Sequence, residues 1–214
     1  MDQESCKVVL LGESGVGKTS IINQFVDETF LEDQQSTSGA TFSTKLVTCS
    51  GGKQIKFDIW DTAGQEKYRA LTKMFYKDAA AAILVYDITR EESFNELKNY
   101  WIGQIKDNSP KKIVLAIAAN KSDLFENEAV DESKGRELAK EVNAIFKLTS
   151  AKNQSGIDDL FVTIGNKFCD PEWEAGKEGE EEKKRLQESK RGTVKVVKKD
   201  ENEENKKHQK GGCC

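Results

Sequence analysis

Gly12-Glu13-Ser14-Gly15-Val16-Gly17-Lys18-Thr19 is the stretch that decides how this chain is read. It fits G-x-x-x-x-G-K-[ST] and lies between a short apolar run, Lys7-Val8-Val9-Leu10-Leu11, and a segment in which Ser20, Ile21, Ile22, Phe25 and Val26 fall at helical spacing. A strand that turns into a helix through glycines leaves backbone N–H groups free to curl around an anion, and the helix N-terminus adds favourable partial charge. In such a loop Lys18 would reach the outer phosphates of a nucleotide and the Thr19 hydroxyl would ligate magnesium. The loop alone names neither the base nor the reaction, because an ATPase or a nucleotide kinase would carry it too.

Two more loops narrow the choice. Asp61-Thr62-Ala63-Gly64-Gln65 follows a strand-like run over 54–60. An Asp at the end of such a strand holds magnesium through a water. Gly64 would offer a backbone N–H to a γ-phosphate with no side chain in the way, and Gln65 would orient an attacking water. By itself D-x-x-G-Q is also an ordinary turn. Asn120-Lys121-Ser122-Asp123 follows the apolar run over 113–119. The Asp123 carboxylate would accept from the N1–H and N2–H₂ of guanine, a donor pair that adenine lacks, and sites of this kind reject the wrong partner by roughly 10⁴–10⁵. Asn120 would bond the N7 side of the base and brace the phosphate loop. The Lys121 stem would cover one face of the ring, and Ser150-Ala151-Lys152 would offer the Ala151 N–H to guanine O6. Every one of these loops follows the C-terminal end of a strand, the edge of an open α/β sheet where ligands bind. One pocket explains them all.

The rest of the chain supports that architecture. Apolar runs alternate with helical patterns, the mark of βαβ units. The spacing predicts strands over 41–49 and 54–60 joined by the hairpin turn Ser50-Gly51-Gly52-Lys53, and strands over 79–86 and 113–119, whose continuous apolar character suits burial on both faces. Phe94, Leu97, Tyr100, Trp101 and Ile105 predict a helix that Thr89 and Glu92 would start as a capping box. Ile145–Leu148 reads as a last short strand, and Ile157, Leu160, Phe161, Ile164 and Phe168 as an amphipathic helix on the sheet. Residues 24–39 and 64–78 lack a clear period and read as loops with partial order.

Charge divides the chain in two. The 214 residues carry a net charge of −4. Residues 171–214 hold 12 Lys/Arg and 11 Asp/Glu, a net +1, which leaves −5 on residues 1–170. A mildly acidic body does not suit a nucleic-acid binder. Of five cysteines, Cys6, Cys49 and Cys169 sit at no metal spacing and read as reduced thiols. The first residues, Met1-Asp2-Gln3-Glu4-Ser5, do not have the form of a secretory signal, and no apolar run has the length to span a bilayer.

With these residues together, the chain resembles the Ras-like small GTPases, and within them the Rab branch, over about residues 5–170. The most Rab-like stretch is Ile59-Trp60-Asp61-Thr62-Ala63-Gly64-Gln65-Glu66-Lys67-Tyr68-Arg69, running on to Phe75-Tyr76. The resemblance implies a P-loop G domain over 1–170, α/β in class, with a six-stranded, mostly parallel sheet flanked by helices on both faces. It implies GTP or GDP bound with Mg²⁺. The nucleotide would be held by Gly15, Val16, Gly17, Lys18, Thr19, Ser20, Phe30, Thr37, Gly64, Asn120, Lys121, Asp123, Ser150, Ala151 and Lys152, and the metal by Thr19, Thr37 and Asp61. Thr37 would be the mobile ligand that senses the γ-phosphate, in a first switch near 32–42, with a second over about 63–78. Gln65 and Lys18 would carry catalysis, with slow turnover in the absence of an evident cis arginine. Phe42, Trp60 and Phe75 would form the aromatic triad that partners read; ordinary core packing is the other reading of the same three. Ser38 and Asp78 depart from the family's usual apolar residue and Gly, which bears on partner choice more than on chemistry.

The resemblance also implies partners: an exchange factor, a GTPase-activating protein, effectors at the switches, and the prenyl-transfer and membrane-extraction chaperones of a monomeric Rab. From Pro171 on, apolar periodicity is lost and acidic and basic blocks alternate, which reads as a disordered, hypervariable tail over 171–214. Its basic blocks either touch anionic lipid or are simply solvated. Gly211-Gly212-Cys213-Cys214 resembles the Rab signal for double geranylgeranylation; two lipids anchor stably where one does so only marginally. The site would then be the cytoplasmic face of an intracellular membrane, with a cytosolic pool. The run Leu84-Val85-Tyr86-Asp87-Ile88-Thr89 with Glu92-Ser93-Phe94 looks most like the endosomal Rabs. The alternatives are a nucleotide-locked scaffold that does not turn over and a P-loop ATPase.

Overall fold

The chain was described from a computed structural model, which covers residues 4–37, 39–62 and 74–173. The expectations for Ser38, Gly64, Gln65, Cys213 and Cys214, and for the tail beyond Trp173, lie outside those residues.

Alternation along β1 (Ser5–Leu11) explains how the chain divides into layers. Cys6, Val8 and Leu10 point to one face of the sheet, and Val9 and Leu11 to the other; all five are fully buried. The first face is covered by α1 (Lys18–Asp27), through Ile21, Ile22 and Phe25, and by the last helix. On the second face lies a long helix over 91–108, here α2, whose Phe94, Leu97, Trp101 and Ile105 meet Leu84 and Tyr86 of the sheet. A strand with an apolar layer on each side has no solvent face. This is why β4 (Ala81–Asp87) is buried at all seven positions and reads as an uninterrupted apolar run up to its last residue, Asp87.

Six strands form one sheet in the order β2-β3-β1-β4-β5-β6, with β2 (Thr41–Thr48), β3 (Gln54–Asp61), β5 (Val114–Asn120) and β6 (Ile145–Leu148). Only the β2–β3 pair is antiparallel; β1–β3, β1–β4, β4–β5 and β5–β6 are parallel. The six-stranded, mostly parallel sheet expected from the sequence is therefore present. From β1 the chain leads to one side, through α1 to β2 and β3. From β4 it leads to the other, so a crevice opens between the ends of β1 and β4.

Several local expectations are corrected. Thr89 and Glu92 do not cap α2. The helix starts at Glu91 after Arg90 with no side-chain cap, because the Thr89 hydroxyl and amide both bond Asp87 Oδ1, at 2.7 and 2.9 Å. The Asp87 carboxylate has taken the Thr89 amide, the donor that Glu92 would need to close the box. α2 is also not uniform. A segment Glu91–Glu96 passes through a π-turn at Leu97–Trp101 into Ile102–Asn108. The strand expected from 79 begins at Ala81, since Ala79 N closes a turn onto Tyr76 O at 3.2 Å. A short 3₁₀ turn, Ser50–Gly52, makes the hairpin. The stretch read as loop from 24 holds helix as far as Asp27. The helix α3 (Glu132–Glu141) was not anticipated. Its sequence is strongly polar, and its legible signal was Asp131, whose carboxylate caps it by accepting from Ser133 N at 2.7 Å. The amphipathic helix α4 (Ile157–Cys169) is found as expected. Among the described residues no helix is long and apolar enough to cross a membrane.

Candidate functional site

The loop between β1 and α1 is shaped by close contacts that exclude side chains. A Cβ on Gly12, whose φ is +144°, would lie 2.2 Å from Val85 O of β4. A Cβ on Gly17, whose φ is +96°, would lie 2.3 Å from the Asn120 side-chain nitrogen. Glycine alone fits such positions. Gly17 also sits at the N-terminus of α1 with no side-chain cap, so the amides of the first turn keep their donor capacity for an anion. Lys18 runs back along the loop, and its ammonium donates to Gly12 O and Glu13 O, both at 2.8 Å. Burial pushes this ammonium down to about 8, against the opposing pull of Asp61; a phosphate beside it would favour the charged form.

Next to Lys18, three oxygen-bearing side chains converge. Thr19 Oγ1 donates to Asp61 Oδ2 at 2.6 Å and lies 2.7 Å from Thr37 Oγ1, which is itself 3.3 Å from Asp61 Oδ2. Asp61 is buried, and burial raises its pKa above the usual carboxylate range. Its Oδ1 is buried with no hydrogen-bond partner among the described residues. An orphaned carboxylate oxygen in a set made only of oxygens fits a hard, octahedral cation such as Mg²⁺. The strand end that carries Asp61 is pinned to β1 by Thr62 Oγ1, which donates to Leu10 O at 2.6 Å.

On the far side of the cleft Asn120 is buried at the end of β5. Its side-chain N–H donates to Val16 O at 2.8 Å, and its Oδ1 accepts from Thr149 Oγ1 at 3.2 Å. The brace expected between this loop and the phosphate loop is thus a direct bond. Lys121 adopts a left-handed conformation, φ 64°, and its ammonium meets buried Asp87 at 2.7 Å. That contact stretches the side chain along the cleft, which it lines. The Ser150 hydroxyl donates to Asp123 Oδ1, so Ser150 fixes the direction of the carboxylate while Asp123 faces the cavity. Lys152 reaches across the mouth to Glu32 at 3.1 Å.

The cleft between these walls is about 380 Å³, within the range of small-molecule sites. Gly15, Gly17, Lys18, Thr19, Ser20, Phe30, Thr37, Asn120, Lys121, Asp123, Ala151 and Lys152 all line it. Three expected site residues stand behind that lining. Val16 is buried and takes part through its carbonyl, Ser150 through Asp123, and Asp61 through Thr19 and Thr37. The sequence reading overlooked Asp87, Arg90, Thr149 and Thr62. Arg90 donates to Ser14 O at 3.0 Å and pairs with Glu13 at 3.3 Å, clamping the phosphate loop from α2. Asp87 closes β4 as Asp61 closes β3 and Asn120 closes β5, so the strand-end rule applied to β4 would have found it. Away from the cleft, Phe42, Trp60 and Phe75 form a continuous aromatic row, with ring centroids 5.1 and 5.2 Å apart. Phe42 is 52% exposed while Trp60 and Phe75 pack against the core, so core packing accounts for two of the three rings and one ring stands on the surface.

A family model described as the Ras family matches residues 7–170. Among curated proteins, the chain is 48% identical to Ras-related protein Rab-22A of Homo sapiens over 162 residues, 76% of this chain and 82% of that protein. It is 46% identical to Ras-related protein Rab-31 of Mus musculus over the same length and shares.

Replacing Asn120 with Ala removes the brace and strands Val16 O, a loss of about 2–3 kcal/mol. Titration with a fluorescent guanine nucleotide is expected to show affinity lowered roughly 30- to 150-fold while circular dichroism still reports a folded domain. Affinity within threefold of the parent would contradict the bracing role.

Proposed function

This chain belongs to the Ras family, and from that premise we propose that it is a Rab-type GTPase working as a GTP/GDP switch in vesicle trafficking, held on an intracellular membrane by lipid. The observation that carries the reading is the convergence of the phosphate loop, the Thr19–Thr37–Asp61 oxygen cluster and the Asn120–Asp123–Ala151 wall on a single cleft.

In this reading Asp123, aligned by Ser150, accepts from the two guanine donors, and the buried Ala151 loop presents its amide to O6. Lys121 and Phe30 bound the base. The first-turn amides of α1 and the Lys18 ammonium hold the β- and γ-phosphates. Mg²⁺, when bound, neutralises phosphate charge, and Thr19, Thr37 and Asp61 are the residues that would hold it. Gln65 aligns a water with the γ-phosphorus. Water oxygen bonds to phosphorus, the bond to the β–γ bridging oxygen breaks, and GDP and phosphate leave. Lys18 and the loop amides stabilise the charge that gathers on the departing oxygens. Thr37 and Gly64 hold the two switches only while the γ-phosphate is present, so hydrolysis releases both.

Arg90 does not supply the missing catalytic arginine, since its guanidinium is engaged by Ser14 O and Glu13. Turnover is therefore expected on the order of 10⁻⁴–10⁻² s⁻¹ without an activating protein, by analogy with related GTPases. The Cys213-Cys214 pair supports two prenyl groups, and the likeness of residues 84–94 to endosomal Rabs supports an endosomal membrane. Effectors would read the Phe42–Trp60–Phe75 row, with exchange and activating factors acting at the switches.

A single-turnover assay on GTP-loaded protein tests hydrolysis: slow phosphate release that falls at least tenfold in Gln65→Leu is expected, and no release with or without an activating protein would leave only the non-hydrolysing scaffold. Imaging the tagged chain tests the anchor. Replacing Cys213 and Cys214 with Ser is expected to shift it from membranes to the cytosol, and unchanged recruitment would overturn the lipid proposal.

A further inference from the structure

Three cysteines gather at the end of the sheet remote from the cleft. Cys6 lies near the start of β1, beside Phe57 of β3. Cys49 sits where β2 gives way to the hairpin, and Cys169 is the last residue of α4. All three are reduced. The Cys49 sulfur packs directly on α4, because a Cβ at Gly165 would lie 2.5 Å from it. Gly165 and Cys169 are four residues apart, on the same face of that helix. One residue beyond Cys49, Ser50 N donates to Asn166 Oδ1 at 2.8 Å, so hairpin and helix are held together next to the two thiols. The Cys169 thiol is near enough to Cys49 to hold its proton on more tightly, after burial the largest influence on it.

The surroundings give the two sulfurs different roles. Cys6 and Cys49 are buried, whereas Cys169 is partly exposed. Lys53, at the same end of the sheet, is ion-paired with Glu4 at 2.5 Å. Burial pushes the Cys49 thiol up to about 11 and the Cys6 thiol up to about 12, which makes both poor first nucleophiles.

We propose that Cys49 and Cys169 form a reversible disulfide on exposure to a peroxide, a modification site separate from the nucleotide cleft. The Cys169 sulfur attacks one peroxide oxygen, the O–O bond breaks, and the departing hydroxide takes up the thiol proton as water, leaving Cys169 as a sulfenic acid. The Cys49 sulfur then attacks the Cys169 sulfur, the S–O bond breaks, and hydroxide leaves with the Cys49 proton as a second water. Two thiols lose two electrons, hydrogen peroxide gains them, and two waters are formed. The bond staples the last turn of α4 to the β2–β3 hairpin until a thiol reductant reverses it.

The test uses the GDP-loaded full chain carrying Cys213→Ser and Cys214→Ser, so that only these three thiols remain. After treatment with hydrogen peroxide, non-reducing digestion and mass spectrometry are expected to show a peptide pair joined through Cys49 and Cys169, lighter by two hydrogens than its reduced parts and absent after dithiothreitol. Cys6→Ser should keep the pair, and Cys169→Ser, at a partly exposed position, should abolish it without unfolding the domain. A Cys169 that proceeds to sulfinic acid with no link, or a link that uses Cys6, would overturn the proposal.

Discussion

One hydrogen bond joins the two halves of this molecule's site. Asn120 ends β5 and Val16 lies in the loop after β1; the 2.8 Å bond between them spans 104 residues of chain. β4 separates their strands in the sheet, so the contact forms only if both loops rise at the crevice and bend toward each other. The bond in turn imposes glycine at position 17, where any Cβ would strike the Asn120 amide. With Thr149 on its other side, the same side chain registers the loops after β1, β5 and β6. If Asn120 moved, the three loops would shift relative to one another.

The cation cluster and the charge network depend on that frame. Asp61 arrives from β3, Thr19 from α1 and Thr37 from the long connection before β2, and the three meet within 3.3 Å. Asp87, from β4, lies at 2.7 Å from Lys121 and anchors the turn at Thr89. Arg90 extends the network to Ser14 and Glu13. Among the described residues Asp61 Oδ1 is a buried carboxylate oxygen with no hydrogen-bond partner, and it marks the place a cation would take. Thr37 reaches the cluster on the connection into β2, whose Phe42 begins the aromatic row. The oxygen cluster and the exposed end of the aromatic row are therefore five residues apart along the chain.

Much of this was legible in the sequence because glycine spacing and strand-end acids report constraints that cannot be met otherwise. Gly12 and Gly17 are needed where backbone and amide approach, and Asp61, Asn120 and Asp123 stand where strands end. What was missed has a physical reason in each case. Asp87 and Arg90 belong to no loop motif, since their work is to hold other loops. The capping box at Thr89 failed because its backbone amide had a nearer acceptor in Asp87. Helix α3 escaped because only Leu138, Ala139 and Gly135 of its ten residues are buried, too narrow a stripe to show a period. The meeting of Cys49 with Cys169 depends on how α4 crosses the hairpin, which spacing along the chain does not encode.

The central claim, a single cleft that reads guanine and needs a divalent cation, is tested most directly by competition. Full-length protein loaded with a fluorescent guanine nucleotide is titrated with GTP and with ATP, in magnesium and again in excess EDTA. The account predicts displacement by GTP at concentrations at least about a thousandfold below those of ATP, and a marked loss of GTP affinity once magnesium is removed. Equal displacement by ATP, or GTP binding indifferent to EDTA, would contradict it.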